Sequence, residues 1–199
     1  MVLRKALILG GTGMLAGVAE SLTGDGWLVV LPSRRYSPIG RRPLEPGIAA
    51  RMSMGGRGHR PQGGTATLGR AIWVEAQWER PRELAKKAEE ALGGPADLLV
   101  AWVHDSYRRA VMGVVEPLLR LDAPVVEVRE AASVKAGEAE SLLVVHPTQQ
   151  VRLGAISEQT GRPLSHAEIA AGVLEAVERA LEDRPTSVHQ IGHNRPYVR

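Results

Sequence analysis

The chain has 199 residues, of which 44% are hydrophobic and 24% are charged, with a formal net charge of +3 and no cysteine. This length and composition are typical of one globular domain, and they exclude a disulfide-stapled mini-protein and a disordered chain. The longest apolar run, residues 98–103, is too short to span a membrane, and the N-terminus lacks a secretory pattern. We therefore expect a cytoplasmic protein with no membrane partner.

The first thirty residues predict a β-α-β unit. Residues 3–9 form an apolar run typical of a buried strand, residues 14–22 have helical spacing, and residues 27–31 form a second apolar run. Glycines separate the three segments. The expected arrangement is a parallel pair of strands joined by a right-handed crossover.

A basic segment then interrupts the alternation. Residues 34–70 contain eight arginines and a single acid, Glu45, and residues 36–70 are rich in glycine and proline without any regular period. This pattern predicts a long surface loop over 36–70. The loop has three interpretations: a lid over cofactor phosphates, a site for an anionic partner, or a solvated insertion. Because Tyr36 is its only aromatic residue, base stacking is disfavoured and nucleic acid is not an expected partner.

The rest of the chain alternates between apolar runs and helical patterns. Strands are predicted at 71–75, 97–103, 124–128 and 142–145, with a further extended segment at 150–157. Helices are predicted at 81–92, at 106–121 with a kink at Pro117, and after Ser165, which forms a capping box with Glu168.

Strands that alternate with helices predict an α/β fold with a doubly wound parallel sheet, a Rossmann-like three-layer sandwich. Residues 1–182 are expected to form a single dinucleotide-binding domain, and residues 183–199 an exposed C-terminal tail. In such a sheet ligands bind beyond the carboxyl ends of the strands. The residues that follow each strand are therefore the candidates for function.

The first of these positions holds a glycine-rich turn. Residues 10–16, Gly-Gly-Thr-Gly-Met-Leu-Ala, follow the first strand and open the first helix. Glycines permit a tight turn and let a pyrophosphate approach the backbone, while the helix N-terminus supplies N–H donors. The alternative is a purely structural turn. The order strand, turn, helix and strand favours dinucleotide binding.

Ser33, Arg34 and Arg35 follow the second strand, and no acid lies between Trp27 and Arg42. NAD-binding proteins usually place an acid there for the ribose 2′-hydroxyl, whereas a cation there suits the 2′-phosphate of NADP. We therefore expect NADP(H) to be favoured over NAD(H), with Arg34 as the main contact. The alternative is that these arginines only begin the basic loop.

Three stretches resemble the short-chain dehydrogenase/reductase superfamily, in particular its small atypical bacterial members. They are Leu-Gly-Gly-Thr-Gly-Met-Leu at 9–15, Pro-Ser-Arg at 32–34, and Gly-Pro-Ala-Asp-Leu-Leu-Val-Ala-Trp at 94–102. The resemblance implies a Rossmann fold, a nicotinamide cofactor and a homo-oligomer. The apolar residues of the 106–121 helix exceed one buried face, which also favours an oligomer; they are Val111, Met112, Val114, Val115, Leu118 and Leu119.

The chain departs from that family at the catalytic pair. Catalytic members use Tyr-x-x-x-Lys on a long helix between the fifth and sixth strands. The pair is absent here, because no tyrosine is followed by lysine four residues later. Gly40 follows Tyr36 at that distance, Val111 follows Tyr107, and Tyr197 is too near the end of the chain. With the sixth strand at 142–145, only residues 129–141 would connect the two strands, so we expect the helix to be shortened or lost.

Two histidines are candidates to replace the tyrosine. His104 ends the fourth predicted strand and His146 ends the sixth, so both are expected to face the ligand crevice. Histidine is the natural acid or base near neutral pH. We favour His104, with Asp105 or a backbone carbonyl fixing its orientation; the alternative is a structural histidine at each position. No ligand spacing supports a metal site.

Two further contacts are expected. Gln77 and Trp78 follow the third strand, where the adenine would lie, and Thr148 follows the sixth, where family members hold the nicotinamide carboxamide. The complete set of expected cofactor-binding residues is Gly10, Gly11, Thr12, Gly13, Met14, Leu15, Ser33, Arg34, Arg35, Gln77, His104 and Thr148.

Three hypotheses of function result from the sequence. The first is an atypical NADP(H)-dependent oxidoreductase that acts on a small molecule. The second is a dinucleotide-binding redox sensor or scaffold without turnover, which the missing Tyr-x-x-x-Lys pair favours. The third is an anion-binding module that uses the basic loop, which the glycine turn disfavours as a complete account.

Overall fold

The computed structural model describes residues 3–36, 69–134 and 141–194. The predicted basic loop therefore lies almost wholly outside the described residues. The described part contains seven strands and four α-helices. In chain order they are β1 Lys5–Leu9, α1 Ala16–Gly24, β2 Leu28–Ser33, β3 Arg70–Glu75, α2 Pro81–Leu92, β4 Leu98–Ala101, α3 Asp105–Val115, β5 Val125–Glu130, β6 Thr148–Leu153, α4 His166–Leu181 and β7 Ser187–Ile191.

All seven strands form one parallel sheet in the order β3-β2-β1-β4-β5-β6-β7. The central strands β1, β2 and β4 are buried on both faces, which explains why they are continuous apolar runs rather than alternating ones. The predicted Rossmann-like α/β fold is confirmed. Among the described residues, no helix combines the length and apolar character needed to cross a bilayer.

Helices cover both faces of the sheet and make two separate cores. Ile8 and Val100 face α1 and α4, whereas their neighbours Leu7 and Leu99 face α2 and α3. Side chains alternate between the faces because a strand has a period of two residues. Gly17 brings α1 close to α4, since a Cβ there would lie 3.0 Å from the Cβ of Ala170.

The position of α4 gives the sheet one unusual crossover. The α1 and α4 connections lie on the same face but run towards opposite edges of the sheet, so they have opposite hands. The α2 and α3 connections run towards the β7 edge on the other face, which gives them the hand of α1. Because parallel crossovers are right-handed in about 98% of cases, the β6-α4-β7 unit is the left-handed one.

The sixth strand lies elsewhere than predicted. Residues 142–145 are not a strand, and Val144 is 87% exposed, whereas β6 runs from Thr148 to Leu153. Hydrophobicity was misleading here because β6 buries polar amide side chains that form hydrogen bonds inside the protein. Gln149 Nε2, for example, donates to the carbonyl oxygens of Arg184 and Pro185, at 3.1 and 2.9 Å. The connection from β5 to β6 therefore spans 131–147, and its described residues contain one turn of 3-10 helix, Ala131–Ser133.

Two other boundaries differ from the prediction. The helix predicted at 106–121 ends at Val115, and Pro117 lies in a short 3-10 turn instead of kinking a continuous helix. The predicted exposed tail is wrong for residues 187–191, which form the edge strand β7. Ile191 of that strand packs so closely on Gly172 of α4 that a Cβ at Gly172 would overlap it.

Candidate functional site

The glycine turn joins β1 to α1 at the carboxyl edge of the sheet. Gly10 has a φ of +86°, and a Cβ there would lie 3.0 Å from the carbonyl oxygen of Trp102. A Cβ on Gly11 would overlap Leu31 and crowd Ile8. The turn itself therefore requires glycine at position 10, whereas Gly11 allows close packing against core side chains. Gly13 has open space on its Cβ side, with its nearest neighbour, the Gly10 carbonyl oxygen, 3.9 Å away.

The N-terminus of α1 follows this turn without a side-chain cap and without an acid in its first turn, as far as the described residues extend. Leu15 occupies the capping position and is fully buried. The partial positive charge of a helix start favours an anion, although the N–H groups of Ala16 and Val18 donate to carbonyl oxygens of the turn, at Gly13 and Leu15. Of the predicted cofactor residues, Met14 and Leu15 pack in the core beneath the turn and do not line the cleft.

Ser33 at the end of β2 connects the glycine turn to the two arginines. Its hydroxyl donates to the Arg35 carbonyl oxygen at 3.1 Å and accepts from the Arg35 N–H at 3.3 Å. The Thr12 and Ser33 hydroxyls also share a hydrogen bond of 2.6 Å, which either of them can donate. The turn and the start of the basic segment are thus held together by one hydroxyl.

A cleft of ≈ 800 Å³ lies beyond the carboxyl ends of β1, β2, β4 and β5. The structure brings seven of the predicted residues to its wall: Gly10, Thr12, Gly13, Ser33, Arg34, Arg35 and His104. Gln77 does not line the cleft, although its neighbour Trp78 does. Sequence reasoning gave no role to several other residues of the wall, namely Pro32, Trp102, Val103, Arg129, Glu130 and Ser133.

His104 is the N-cap residue of α3. Its Nδ1 accepts a hydrogen bond from the Ser106 N–H at 3.3 Å, and its ring is exposed to the cleft. This bond requires Nδ1 without a proton, so the neutral tautomer carries its proton on Nε2. The expectation that Asp105 orients the imidazole is wrong, because a backbone N–H does so and Asp105 binds another residue.

That other residue is Arg129, whose Nη2 donates to Asp105 Oδ1 at 3.1 Å. One turn further along α3, Arg108 makes a two-pronged ion pair with Glu127, at 2.5 and 3.0 Å, and both side chains are buried. The two pairs connect α3 to β5. The signal in the sequence was the alternation of Val125–Glu130, where charges occupy positions that face α3 in an otherwise buried strand.

A second polar contact joins α3 to the connection between β3 and α2. The Tyr107 hydroxyl donates to Glu79 Oε1 at 3.1 Å. The backbone N–H of Glu79, then this bond, and then the charge of Arg34 lower the pKa of Glu79 below its usual value. The same bond raises the pKa of Tyr107 above its usual value.

Two predicted residues lie at the wrong edge of the sheet. Thr148 is the first residue of β6 and is 1% exposed, so the expectation that it follows a strand and faces the crevice is wrong. His146 precedes β6, and its Nδ1 lies 2.9 Å from the Ala123 carbonyl oxygen. Both errors follow from the displaced sixth strand. No group of three metal-ligating side chains occurs within the described ranges.

No protein-family model matches the chain, and no curated protein matches its sequence. Solved structures do match. A short-chain dehydrogenase/reductase from Serratia marcescens is 11% identical with a TM-score of 0.58, over 94% of this chain and 96% of that one. The NADH-dependent reductase A1-R', complexed with NAD, is 15% identical with a TM-score of 0.54, over 96% and 95%.

An alcohol dehydrogenase from Thermococcus sibiricus, complexed with 5-hydroxy-NADP, is also similar to this chain. It is 15% identical with a TM-score of 0.54, over 98% of this chain and 99% of that one. At these identities the likeness establishes the fold. The chain therefore has the fold of the short-chain dehydrogenase/reductases, as the resemblance in its sequence implied.

Proposed function

We propose that this chain binds a nicotinamide dinucleotide in the cleft, with NADP(H) favoured over NAD(H), and acts as an atypical reductase. The observation that carries the proposal is the link between Thr12 and Ser33, which holds the glycine turn beside Arg34 and Arg35. A backbone cradle and two guanidinium groups on one wall match a pyrophosphate and a 2′-phosphate. Two proteins of similar fold are described in complex with NAD and with 5-hydroxy-NADP.

The residues present fit such a cofactor. Gly13 leaves space where a side chain would block close approach to the turn, and the N–H groups that start α1 are without a side-chain cap in the described part of the chain. Arg34 and Arg35 would hold the 2′-phosphate, and Trp78 would border the adenine side. When bound, a nicotinamide cofactor supplies hydride transfer.

We assign to His104 the hydrogen bond that stabilises the substrate oxygen during hydride transfer, after which the alkoxide takes its proton from solvent. This residue stands at the end of β4 with its Nδ1 committed to the helix start, which directs the protonated Nε2 away from Ser106 as a donor. A donor at that place would polarise a substrate carbonyl and stabilise the developing alkoxide. The paired Arg129 and Asp105 lie beside it and fix the adjoining helix turn.

The test begins with binding. Titrations of the purified protein with NADPH and NADH, followed by calorimetry or by nicotinamide fluorescence, should give saturable binding of both with NADPH the tighter. A screen of NADPH oxidation over carbonyl, quinone and flavin acceptors then identifies the substrate class. Absence of binding of either cofactor at millimolar concentration would overturn the proposal.

A second candidate is a dinucleotide-binding sensor or scaffold without turnover. It is favoured by one observation: no tyrosine in the sequence has lysine four residues later. Tight binding of NADPH together with no oxidation of it by any acceptor class would select this second candidate.

A further inference from the structure

Two arginines lie side by side at the β5 end of the cleft. Arg129 and Arg152 are the penultimate residues of β5 and β6, and they are register partners in the parallel sheet. Neighbouring strands lie about 4.8 Å apart and register partners project from the same face, so the two side chains are adjacent. Arg129 lies on the cleft wall, and Arg152 lies next to it on the side away from the glycine turn. Two adjacent guanidinium groups repel each other, and an anion between them would relieve the repulsion.

The acids on the α3 side of the sheet are already engaged by other cations. Glu127 is held by Arg108 in the buried two-pronged pair, and Asp105 is held by Arg129. Arg152 is partly buried; within the described ranges it forms no ion pair, and its Nε is buried without a hydrogen-bond partner. A cation taken out of water without a counter-ion costs free energy, which an anionic ligand would offset.

Glu130, another acid of the cleft wall, projects from the other face of the sheet. Its register partner is Leu153, which packs in the core beneath α4. Since side chains alternate along a strand, Glu130 shares the α4 face with Leu153, whereas Arg152 shares the α3 face with Arg129. Glu130 is therefore not the counter-ion of Arg152, and the geometry leaves a place for an anion from outside the sheet.

We propose that Arg129 and Arg152 bind an oxyanion of the substrate, a carboxylate or a phosphate, so that the substrate is an anionic carbonyl compound. The role in substrate binding rests on the proposed function, whereas the anion site itself does not. The fork of a guanidinium matches either oxyanion with two hydrogen bonds. Three strands separate β2, which is followed by Arg34 and Arg35, from β6, so this site is distinct from the one for the cofactor phosphate. His104 follows β4, next to β5, so a carbonyl near the bound oxyanion would lie beside the imidazole.

The experiment measures the binding of oxalate and of inorganic phosphate by calorimetry, in wild type and in Arg152→Gln. The titrations are made in the presence of NADPH, which occupies Arg34 and Arg35 in the proposed function. At least one of the two anions should bind wild type, and its dissociation constant should rise about tenfold or more in Arg152→Gln, the size expected for one charge-assisted contact. Arg152→Lys keeps the charge and should retain part of the affinity. The anion that binds more tightly identifies the oxyanion as carboxylate or phosphate.

The unfolding midpoint separates a binding role of Arg152 from a structural one. Because Arg152 lies beside Arg129, Arg152→Gln removes a repulsion and should leave the midpoint of the ligand-free protein unchanged or higher. The rise in midpoint that the anion produces in wild type should shrink in the variant, since ligand stabilisation follows affinity. A clear fall in the midpoint of ligand-free Arg152→Gln would assign Arg152 to the fold and overturn the proposal.

Arg82→Gln is the matched control. Arg82 is exposed on α2, outside the cleft wall, and its replacement changes the net charge equally. It should leave the affinity for both anions unchanged. If Arg152→Gln binds the anions as this control does, or if neither anion binds wild type, the inference is overturned while NADPH binding still supports the proposed function. Anion binding that depends on Arg152 in a protein that does not bind NADPH would overturn the proposed function and leave the anion site.

Discussion

At the scale of single residues, Arg34 is the direct test of cofactor choice. Arg34→Ala should weaken NADPH binding by about tenfold or more, because a charge-assisted hydrogen bond contributes roughly 1.5–3 kcal/mol. NADH binding should change little. The measurement is a pair of calorimetric titrations, and equal affinity of the unmodified protein for NADPH and NADH would already contradict the assignment.

His104 separates chemistry from structure when two replacements are compared. His104→Asn keeps an oxygen that can accept the Ser106 N–H, since asparagine is a good N-cap, but it removes the imidazole. We expect turnover to fall by about 10²–10⁴-fold with NADPH affinity nearly unchanged and with an unfolding midpoint close to wild type. His104→Gln should lose the same activity.

Full activity in His104→Asn would assign the histidine to the helix cap alone. The developing alkoxide would then be stabilised by solvent, or the substrate would be acidic enough to need no such donor. Loss of activity together with a large fall in the unfolding midpoint would instead point to the cap as the cause. Measurement of the rate and the thermal midpoint on the same preparations distinguishes these results.

At the scale of secondary-structure elements, the buried pair between α3 and β5 holds the N-terminal turns of α3 in place. Arg108 and Glu127 are 5% and 3% exposed. Arg108→Met leaves the Glu127 carboxylate buried without this cation, so we expect a loss of about 3–5 kcal/mol in the free energy of unfolding. The double change Arg108→Met and Glu127→Leu should recover much of it, because two apolar side chains leave no buried charge. Urea titrations of the three proteins measure this.

The loop after β6 is tied to α4 through Glu168. The Ser157 hydroxyl, and then the hydroxyl and backbone N–H of Ser165, donate to its carboxylate, and these bonds lower the pKa of Glu168. Because the folded pKa is depressed, this stabilisation is present above the ordinary glutamate pKa and is lost as the pH falls through the folded value. We expect amide exchange in residues 155–165 to accelerate in that acidic range, relative to the core strands.

Glu168→Gln provides the comparison for this pH effect. Glutamine can still accept hydrogen bonds but does not titrate. The variant should therefore show faster exchange in the loop at neutral pH and a weaker acceleration on acidification. Identical pH profiles for wild type and Glu168→Gln would show that another group controls the loop.

The elements that sequence reasoning found were those governed by local chemistry. The helix at 81–92 was predicted at both ends because Pro81 begins it and Gly93, with a φ of +57°, ends it. The capping box of Ser165 and Glu168 likewise forms as predicted. Both signals act within a few residues and need no knowledge of the tertiary structure.

The elements that it misplaced depend on partners distant in sequence. In β6 and β7, Gln149 is buried because Ser187 and His189 both contact its Oε1, the histidine at 3.0 Å. The local sequence shows the polar residues of these strands but not the distant partners that satisfy them. Since His146 and Thr148 were placed from the apolar run at 142–145, the error in the strand became an error in the site. Gly10, Thr12, Gly13 and Arg34 depend on β1 and β2 alone, and the structure brings them to the cleft wall.

At the scale of the whole molecule, α3 is not the surface that favours self-association. Val111, Met112 and Val115 of α3 are buried within the monomer, so the surplus of apolar residues in that helix needs no partner. The exposed large apolar side chains of this part of the chain lie instead at the amino edge of the sheet, where Leu121 is 78%, Val144 87% and Val145 61% exposed. The connections that carry them are in contact, since His146 Nδ1 lies 2.9 Å from the Ala123 carbonyl oxygen.

We expect a homo-oligomer, in the simplest case a two-fold dimer, because exposed apolar groups that lie together favour association with a like surface. Light scattering at micromolar concentration should give about twice the monomer mass of 21.4 kDa. Val144→Asp should lower that mass towards the monomer without changing NADPH affinity, since the cleft lies at the opposite edge of the sheet. Arg120→Asp changes the charge of the exposed residue beside Leu121. Its mass by light scattering tests whether apolar contact or charge controls the association. A monomeric mass for the unmodified protein would contradict the expectation.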